Sequence, residues 1–338
     1  MHTRQNELNK WLTHFFNHKS YQLTPLAGDA SFRRYYRVIA NGISYVVMDA
    51  PPKHENIAAF IKIGKLLASA GVNTPEIYAV NDEHGFLLLE DLGDTQLLSS
   101  LTPENADHLY NKALTTLIKI QRCSISEAQL PHFDINHMQQ ELALFSDWFL
   151  QSYLNMPLNE HDKRLLDETF ILLTREIAKQ PQLFIHRDYH ARNLMLIEQQ
   201  DTQLDIGVID FQDAMIGPYS YDLVSLLKDC YIQWPREHVN QWVNIFYQLI
   251  EMPAQSNEAV FLRDFEWCGL QRHLKVLGIF CRLYLRDKKP QYLLDLPLTF
   301  HYTMACLESY PEFKAFYQFM HNKVVPAFEE KRICLLQQ

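Results

Sequence analysis

The sequence predicts an α+β fold in two lobes: a small antiparallel β-sheet with one helix, then a larger, mostly helical lobe. Three observations carry this. Between residues 21 and 90 the order is strand, strand, strand, helix, strand, strand. From about residue 102 the pattern is helical. One polar loop, 186–193, interrupts that helical half between two apolar, strand-like runs. The expected division is an N-lobe at 1–92 and a C-lobe at 93–338.

Each element has its own reason. Residues 1–19 form an amphipathic helix with Leu8, Trp11, Leu12, Phe15 and Phe16 on one side. Strands follow at Tyr21 to Leu26, Arg34 to Ile39 and Ile43 to Met48. The last two are joined by Asn41-Gly42, residues that tolerate the positive φ of a tight hairpin. Glu55 to Ala70 is a helix with apolar Ile57, Phe60, Ile61, Leu66 and Leu67, closed by Gly71. Ile77 to Val80 and Phe86 to Leu89 make another antiparallel pair, and Glu90-Asp91-Leu92-Gly93 ends it as a hinge. In the second lobe, Leu183 to Ile185 and Leu194 to Ile197 flank the polar loop. Ile206 to Ile209 gives a further strand, after a polar turn from Glu198 to Gln203. Residues from about 260 to 287 form a long helix; Trp148, Trp234, Trp242 and Trp267 could stack on a sugar, but large aromatics at helical spacing are more often core.

Composition narrows the setting. The chain has 338 residues, 47% hydrophobic and 21% charged, enough for ample core in two lobes. No run of eighteen apolar residues marks a membrane span, and the N-terminus lacks the apolar core of a signal peptide. The six cysteines (123, 230, 268, 281, 306, 334) form no Cys-x-x-Cys pair, as expected for reduced residues of a cytoplasmic protein. A net charge of −9 argues against nucleic acid as the main partner, yet leaves room for a small anionic substrate in a local basic pocket.

Residues 186–193 read His-Arg-Asp-Tyr-His-Ala-Arg-Asn, and Asp210, in Ile209-Asp210-Phe211, follows 17 residues after Asn193. Phosphoryl transfer needs a carboxylate to orient the attacking hydroxyl and oxygen ligands for magnesium between the phosphates. Asp188 can supply the first, and Asn193 with Asp210 the second. Asp and Asn also favour turns and caps, but two motifs in this order, each beside strand-like runs, weigh against that reading. The pattern resembles the catalytic loop and metal-binding aspartate of kinase-fold phosphotransferases.

Nearly the whole chain resembles the aminoglycoside phosphotransferase and choline kinase superfamily. The segment from Gly28 to Arg37, Val47-Met48-Asp49-Ala50-Pro51-Pro52, Phe86 to Gly93 and the 186–193 loop together narrow the likeness. They resemble the family of bacterial N-acetylmuramate/N-acetylglucosamine anomeric kinases of Gram-negative peptidoglycan recycling, which make a sugar 1-phosphate from ATP. The resemblance implies a protein-kinase-like fold, ATP and Mg2+ as cofactors, a small amino sugar as partner and a cytoplasmic location; a monomer is expected. It makes Asp188 the catalytic carboxylate with Asn193 beside it, and Asn193 and Asp210 the metal ligands. His186 and Asp222 brace the loop, and the hinge at Glu90 and Leu92 meets adenine. Asp222 also reads as a helix N-terminal acid favoured by the macrodipole.

The sequence departs from the general kinase pattern in the N-lobe. The third strand, Ser44 to Asp49, carries no lysine, and the first turn has only Gly28 in place of a glycine-rich loop. Phosphate neutralisation then falls to Arg33, Arg34 or Arg37, whose guanidinium groups can grip phosphate, or to Lys53; exposed strand arginines are an equal reading. For the substrate the candidates are Arg192, Asp213, Lys275 and Arg282. Lys275, Arg282 and Arg286 share a face of the long helix at separations of 7 and 4, with Arg272 nearby. That stripe could meet the lactyl carboxylate of N-acetylmuramate, although ion pairing or solvation is the commoner use. Other acceptors (an aminoglycoside, a choline-like amine, another sugar) and a non-catalytic pseudokinase stay open.

Overall fold

Asn41 and Gly42 take φ of 54° and 79°, so the hairpin forms at the expected dipeptide. In this computed structural model, which describes residues 2–26, 32–198, 204–250 and 257–336, it joins β2 (Arg34–Ala40) to β3 (Ile43–Asp49). With β1 (Tyr21–Pro25), β4 (Ile77–Asn81) and β5 (Phe86–Glu90) these make one antiparallel sheet in the order β1-β2-β3-β5-β4.

Two helices cover its two faces. On one lies α1 (His2–Phe15), whose Leu8 and Leu12 bury against Val38, Val47, Phe86 and Leu88. It stops where Asn17 and His18 turn left-handed, and Arg4 anchors its start to buried Asp49 at 2.6 Å. On the other face lies α2 (Ile57–Ser69), capped by the Asn56 side chain and ended at Gly71. Its Phe60 stacks on Phe211 at 4.6 Å, so the core runs unbroken from the sheet into the helical half.

The helical half begins with α3 (Leu97–Ser100), α4 (Ala106–Gln121) and α5 (Ile125–Ala128). Next come α6 (Ile135–Leu144), running into a π-helical segment Phe145–Tyr153, and α7 (Glu160–Ala178). After four strands between residues 182 and 218 come α8 (Tyr221–Leu227), α9 (Arg236–Leu249), α10 (Glu258–Leu285), α11 (Leu296–Ser309), α12 (Lys314–Phe319) and α13 (Val325–Leu336). The 28-residue α10 is buried on nearly all sides; it crosses the end of α6 so closely that a Cβ on Gly278 would stand 2.3 Å from the Leu144 carbonyl carbon. Trp242 and Trp267 are fully buried, and Trp148 and Trp234 pack against the core. Cys123, Cys230, Cys268, Cys281 and Cys306 are buried and unbridged. No helix among the described residues is long and apolar enough to cross a membrane.

Four strands interrupt these helices. β6 (Gln182–Ile185) pairs with β9 (Met215–Pro218), and β7 (Leu194–Glu198) with β8 (Leu204–Val208). The sequence confines strands in this half to 183–210, and β9 corrects that. Met-Ile-Gly-Pro is four residues long and buried throughout, so it shows no alternation, and Gly-Pro reads as a turn. Gly28, and residues 199–203 of the expected turn, lie outside the described residues.

Candidate active site

The 186–193 loop leaves β6 and enters β7, so both its ends are fixed by ladder hydrogen bonds to β9 and β8. Within it the backbone is unusual. Arg187 takes φ 75° and Asp210, just past β8, takes φ 62°, a region that non-glycine residues occupy only where the surroundings hold them. What holds them is a set of buried acceptors. Asp222, at the start of α8, accepts the His186 and Arg187 N–H groups at 2.6 and 2.9 Å. Asp229, seven residues on, accepts those of Ala191 and Tyr231 at 3.0 and 3.1 Å. The fully buried His186 spans the loop and β8: its Nδ1 accepts the Asp188 N–H at 3.3 Å and its Nε2 donates to the Ile209 carbonyl at 3.1 Å. Burial holds its pKa below the ordinary histidine value, so the neutral ring is the working form.

Asn193 Nδ2 donates to the Asp188 carbonyl at 3.0 Å and lies 3.5 Å from Asp210 Oδ2, which brings the three expected residues to one place. Burial pushes the Asp188 carboxyl up, but Lys275, Arg272 and Arg187 outweigh it and keep the group below the usual carboxylate range. Asp210 goes the other way: burial first, then the charge of Asp188, push it up. Two facing carboxylates beside a carboxamide form a hard, all-oxygen donor set whose repulsion a divalent cation would relieve. Asn193 and Asp210 therefore fit Mg2+, which takes few protein oxygens and shares its shell with phosphate and water.

Among the expected phosphate-binding arginines only Arg33 reaches this place. Its guanidinium lies 3.2 Å from Glu55, just before α2, 3.5 Å from Asp213 and 3.9 Å from Asp210. Arg34 is exposed at the start of β2 and Lys53 is exposed beyond β3. Arg37 is engaged elsewhere, gripping Asp91 at 2.6 and 3.0 Å and Asp94 at 2.8 Å, so it ties the sheet to the hinge. Glu90 and Leu92 border a cavity of about 900 Å3 shared with Asn105, His108 and Leu196. Leu92 rests on β8 where a Cβ on Gly207 would come within 2.9 Å of its Cδ1.

On the other side, Asp188 opens into a cavity of about 380 Å3 floored by α10, with Asp213, Arg272, Lys275 and Arg282 in its wall. Lys275 meets Glu141 of α6 at 3.0 Å and the Tyr221 hydroxyl at 3.1 Å; Arg187 meets the same Glu141 at 2.7 Å. Arg192 is turned away, its guanidinium 3.5 Å over the Tyr231 ring. Sequence reasoning missed Glu141 and Asp229. Asp229 had no usable signal, since it stands beyond the end of α8, after the non-helical Lys228. Glu141 had none: its partners lie 46 and 134 positions away.

The sequence matches the phosphotransferase enzyme family (APH) over residues 22–255. The chain belongs to that family. Among relatives of this phosphotransferase, an N-acetylmuramate/N-acetylglucosamine kinase of Pseudomonas aeruginosa is 43% identical over 298 residues, covering 86% of this chain and 85% of that protein. One of the same name from Neisseria meningitidis serogroup B is 37% identical over 322 residues, covering 93% and 94%. In structure the phosphotransferase resembles the GDP complex of aminoglycoside 2'-phosphotransferase-IIIa, with a TM-score of 0.60 at 17% identity over 88% and 97% of the two chains. It therefore has the protein-kinase-like fold expected of it, an antiparallel sheet followed by a helical region.

Proposed function

We propose that this phosphotransferase moves the γ-phosphoryl group of ATP to the anomeric hydroxyl of N-acetylmuramate and N-acetylglucosamine, giving the sugar 1-phosphate. The observation that carries this is Asp188, which lines the 380 Å3 cavity and whose backbone carbonyl accepts from Asn193, itself 3.5 Å from Asp210. The names of the relatives supply the substrate class. In the reaction the anomeric O–H donates to Asp188, and its oxygen forms a bond to the γ-phosphorus as the bond to the β,γ-bridging oxygen breaks; ADP leaves and Asp188 takes the proton. A carboxylate held below its usual pKa range is a weak base, which suits an anomeric hydroxyl, more acidic than other sugar hydroxyls, and a loose transition state with late proton loss. Mg2+ held by Asn193 and Asp210 would offset charge on the phosphates. Arg33, placed by Glu55, takes the part of the absent third-strand lysine. Residues 1–92 then serve as the nucleotide-binding lobe and 93–338 as the catalytic lobe of a cytoplasmic, monomeric enzyme of cell-wall recycling.

The test is incubation with ATP, Mg2+ and either sugar, followed by phosphorus NMR. An anomeric phosphate resonance that is absent with Asp188→Asn supports the assignment. No product with either sugar, from protein that binds ATP, overturns it in favour of another acceptor.

A further inference from the structure

The substrate cavity is crossed by more positive charge than its chemistry requires, and that charge has been placed unevenly. Four cationic side chains line it: Arg187, Arg272, Lys275 and Arg282. The first three are committed. Arg187 and Lys275 share Glu141 at 2.7 and 3.0 Å, and Arg272 donates through Nε to Ser225 at 2.5 Å while lying in the field of Asp188 and Asp229. Arg282 differs. Among the described residues no carboxylate lies within 4.0 Å of it, whereas Arg187 and Lys275 both have Glu141; its Nε, like that of Arg187, is enclosed without a hydrogen-bond partner. The carboxylate it senses, Asp287, is gripped by Arg286 at 2.8 and 2.9 Å. Asp213, the remaining acid of the wall, faces Arg33.

Enclosing a guanidinium N–H with nothing to receive it is costly, and such groups normally find a partner. The missing partner would be an acceptor, anionic for preference, that arrives with the substrate. Position agrees. Lys275 sits in the field of Asp188, whereas Arg282 is two turns farther along the same face of α10, about 10 Å by helical rise. A sugar with its anomeric oxygen at Asp188 directs the far side of its ring along that helix.

We propose that Arg282 anchors a carboxylate subsite in this cavity and is the residue by which the enzyme distinguishes a carboxylated N-acetyl amino sugar from its neutral counterpart. This rests on the sugar-kinase reading above. N-acetylmuramate carries a lactyl ether carboxylate on the ring and N-acetylglucosamine has a hydroxyl there; the two share the reacting centre and the N-acetyl group. Arg282 is therefore a positioning and specificity residue that does not touch the reacting atoms.

The experiment compares kcat/KM for the two sugars in wild type, Arg282→Gln and Arg282→Lys. A charged hydrogen bond contributes about 1.5–3 kcal/mol, so the ratio of kcat/KM for N-acetylmuramate over N-acetylglucosamine should fall about 10- to 150-fold in Arg282→Gln, mainly through KM, with Arg282→Lys in between. An unchanged ratio in both variants overturns the proposal. Failure of wild type to phosphorylate either sugar would instead overturn the sugar-kinase reading. The subsite is then judged by calorimetric titration of the two sugars: tighter binding of the carboxylated one that is lost in Arg282→Gln upholds it, and equal binding by wild type refutes it.

Discussion

Replacing Glu141 by Gln should be among the most damaging single changes outside the reacting residues. Glu141 is one buried carboxylate serving a half-buried and a buried cation, Arg187 at 2.7 Å and Lys275 at 3.0 Å, and it also accepts from Gln271 at 3.1 Å. Gln keeps the volume and one acceptor but removes the charge, leaving the Arg187 guanidinium and the Lys275 ammonium without a counter-charge under the 186–193 loop. Breaking a buried pair by deleting one partner costs about 3–5 kcal/mol, because the surviving charge is left uncompensated. For 338 residues at about 2.1 cal/mol/K each, the entropy of unfolding is about 0.7 kcal/mol/K, so the loss corresponds to a fall in Tm of about 4–7 °C. Differential scanning calorimetry at neutral pH measures it. The double variant Glu141→Gln/Lys275→Met removes one stranded cation and should recover part of the loss. A fall below about 1 °C, or a double variant no better than the single, would refute the idea that Glu141 neutralises this floor.

Other outcomes follow from the same geometry. Asp188→Asn should lower kcat by about 10²–10⁴-fold with little change in Tm, and near-normal turnover would remove Asp188 from its role. Gly278→Ala should cost about 1–3 kcal/mol by driving α10 off the Leu144 backbone, read in urea unfolding; an unchanged midpoint would mean the crossing is looser than 2.3 Å implies. Burial pushes the Asp222 carboxyl up to about 6 from 3.8, so folding binds a proton there. Its contribution to stability is full below pH 3.8 and is lost as pH rises through 6. Wild type should accordingly gain stability relative to Asp222→Asn between pH 7 and pH 4, by about 1.4 kcal/mol per pKa unit, and parallel pH profiles would contradict this.

What was legible in the sequence was whatever depends on neighbours in the chain. The Asn41-Gly42 hairpin, the Gly71 stop and the spacing of Asp188, Asn193 and Asp210 each state a local backbone requirement, and each is met in the fold. Pairings between distant segments were not legible. Arg33, Arg34 and Arg37 look alike on paper; only the packing of β2 against the hinge sends Arg37 to Asp91 while Arg33 meets Glu55 and Asp210. The basic stripe on α10 was visible as a periodicity, but its division into committed Lys275, unpartnered Arg282 and exposed Arg286 required knowing where α6 lies.

The loop's two carboxylate holders stand at the two ends of one short helix. Asp222 opens α8 and Asp229 stands two residues past its end, and between them they grip the N-terminal and C-terminal sides of the 186–193 loop. The helix thus works as a gauge block: its length, not the loop's own sequence, sets the span across which Asp188 is presented. Inserting one residue into α8 would turn Asp229 by about 100° relative to Asp222 and pull one side of the loop from its seat. Substitutions on the outer side of that helix should be tolerated far better than any change in its residue count.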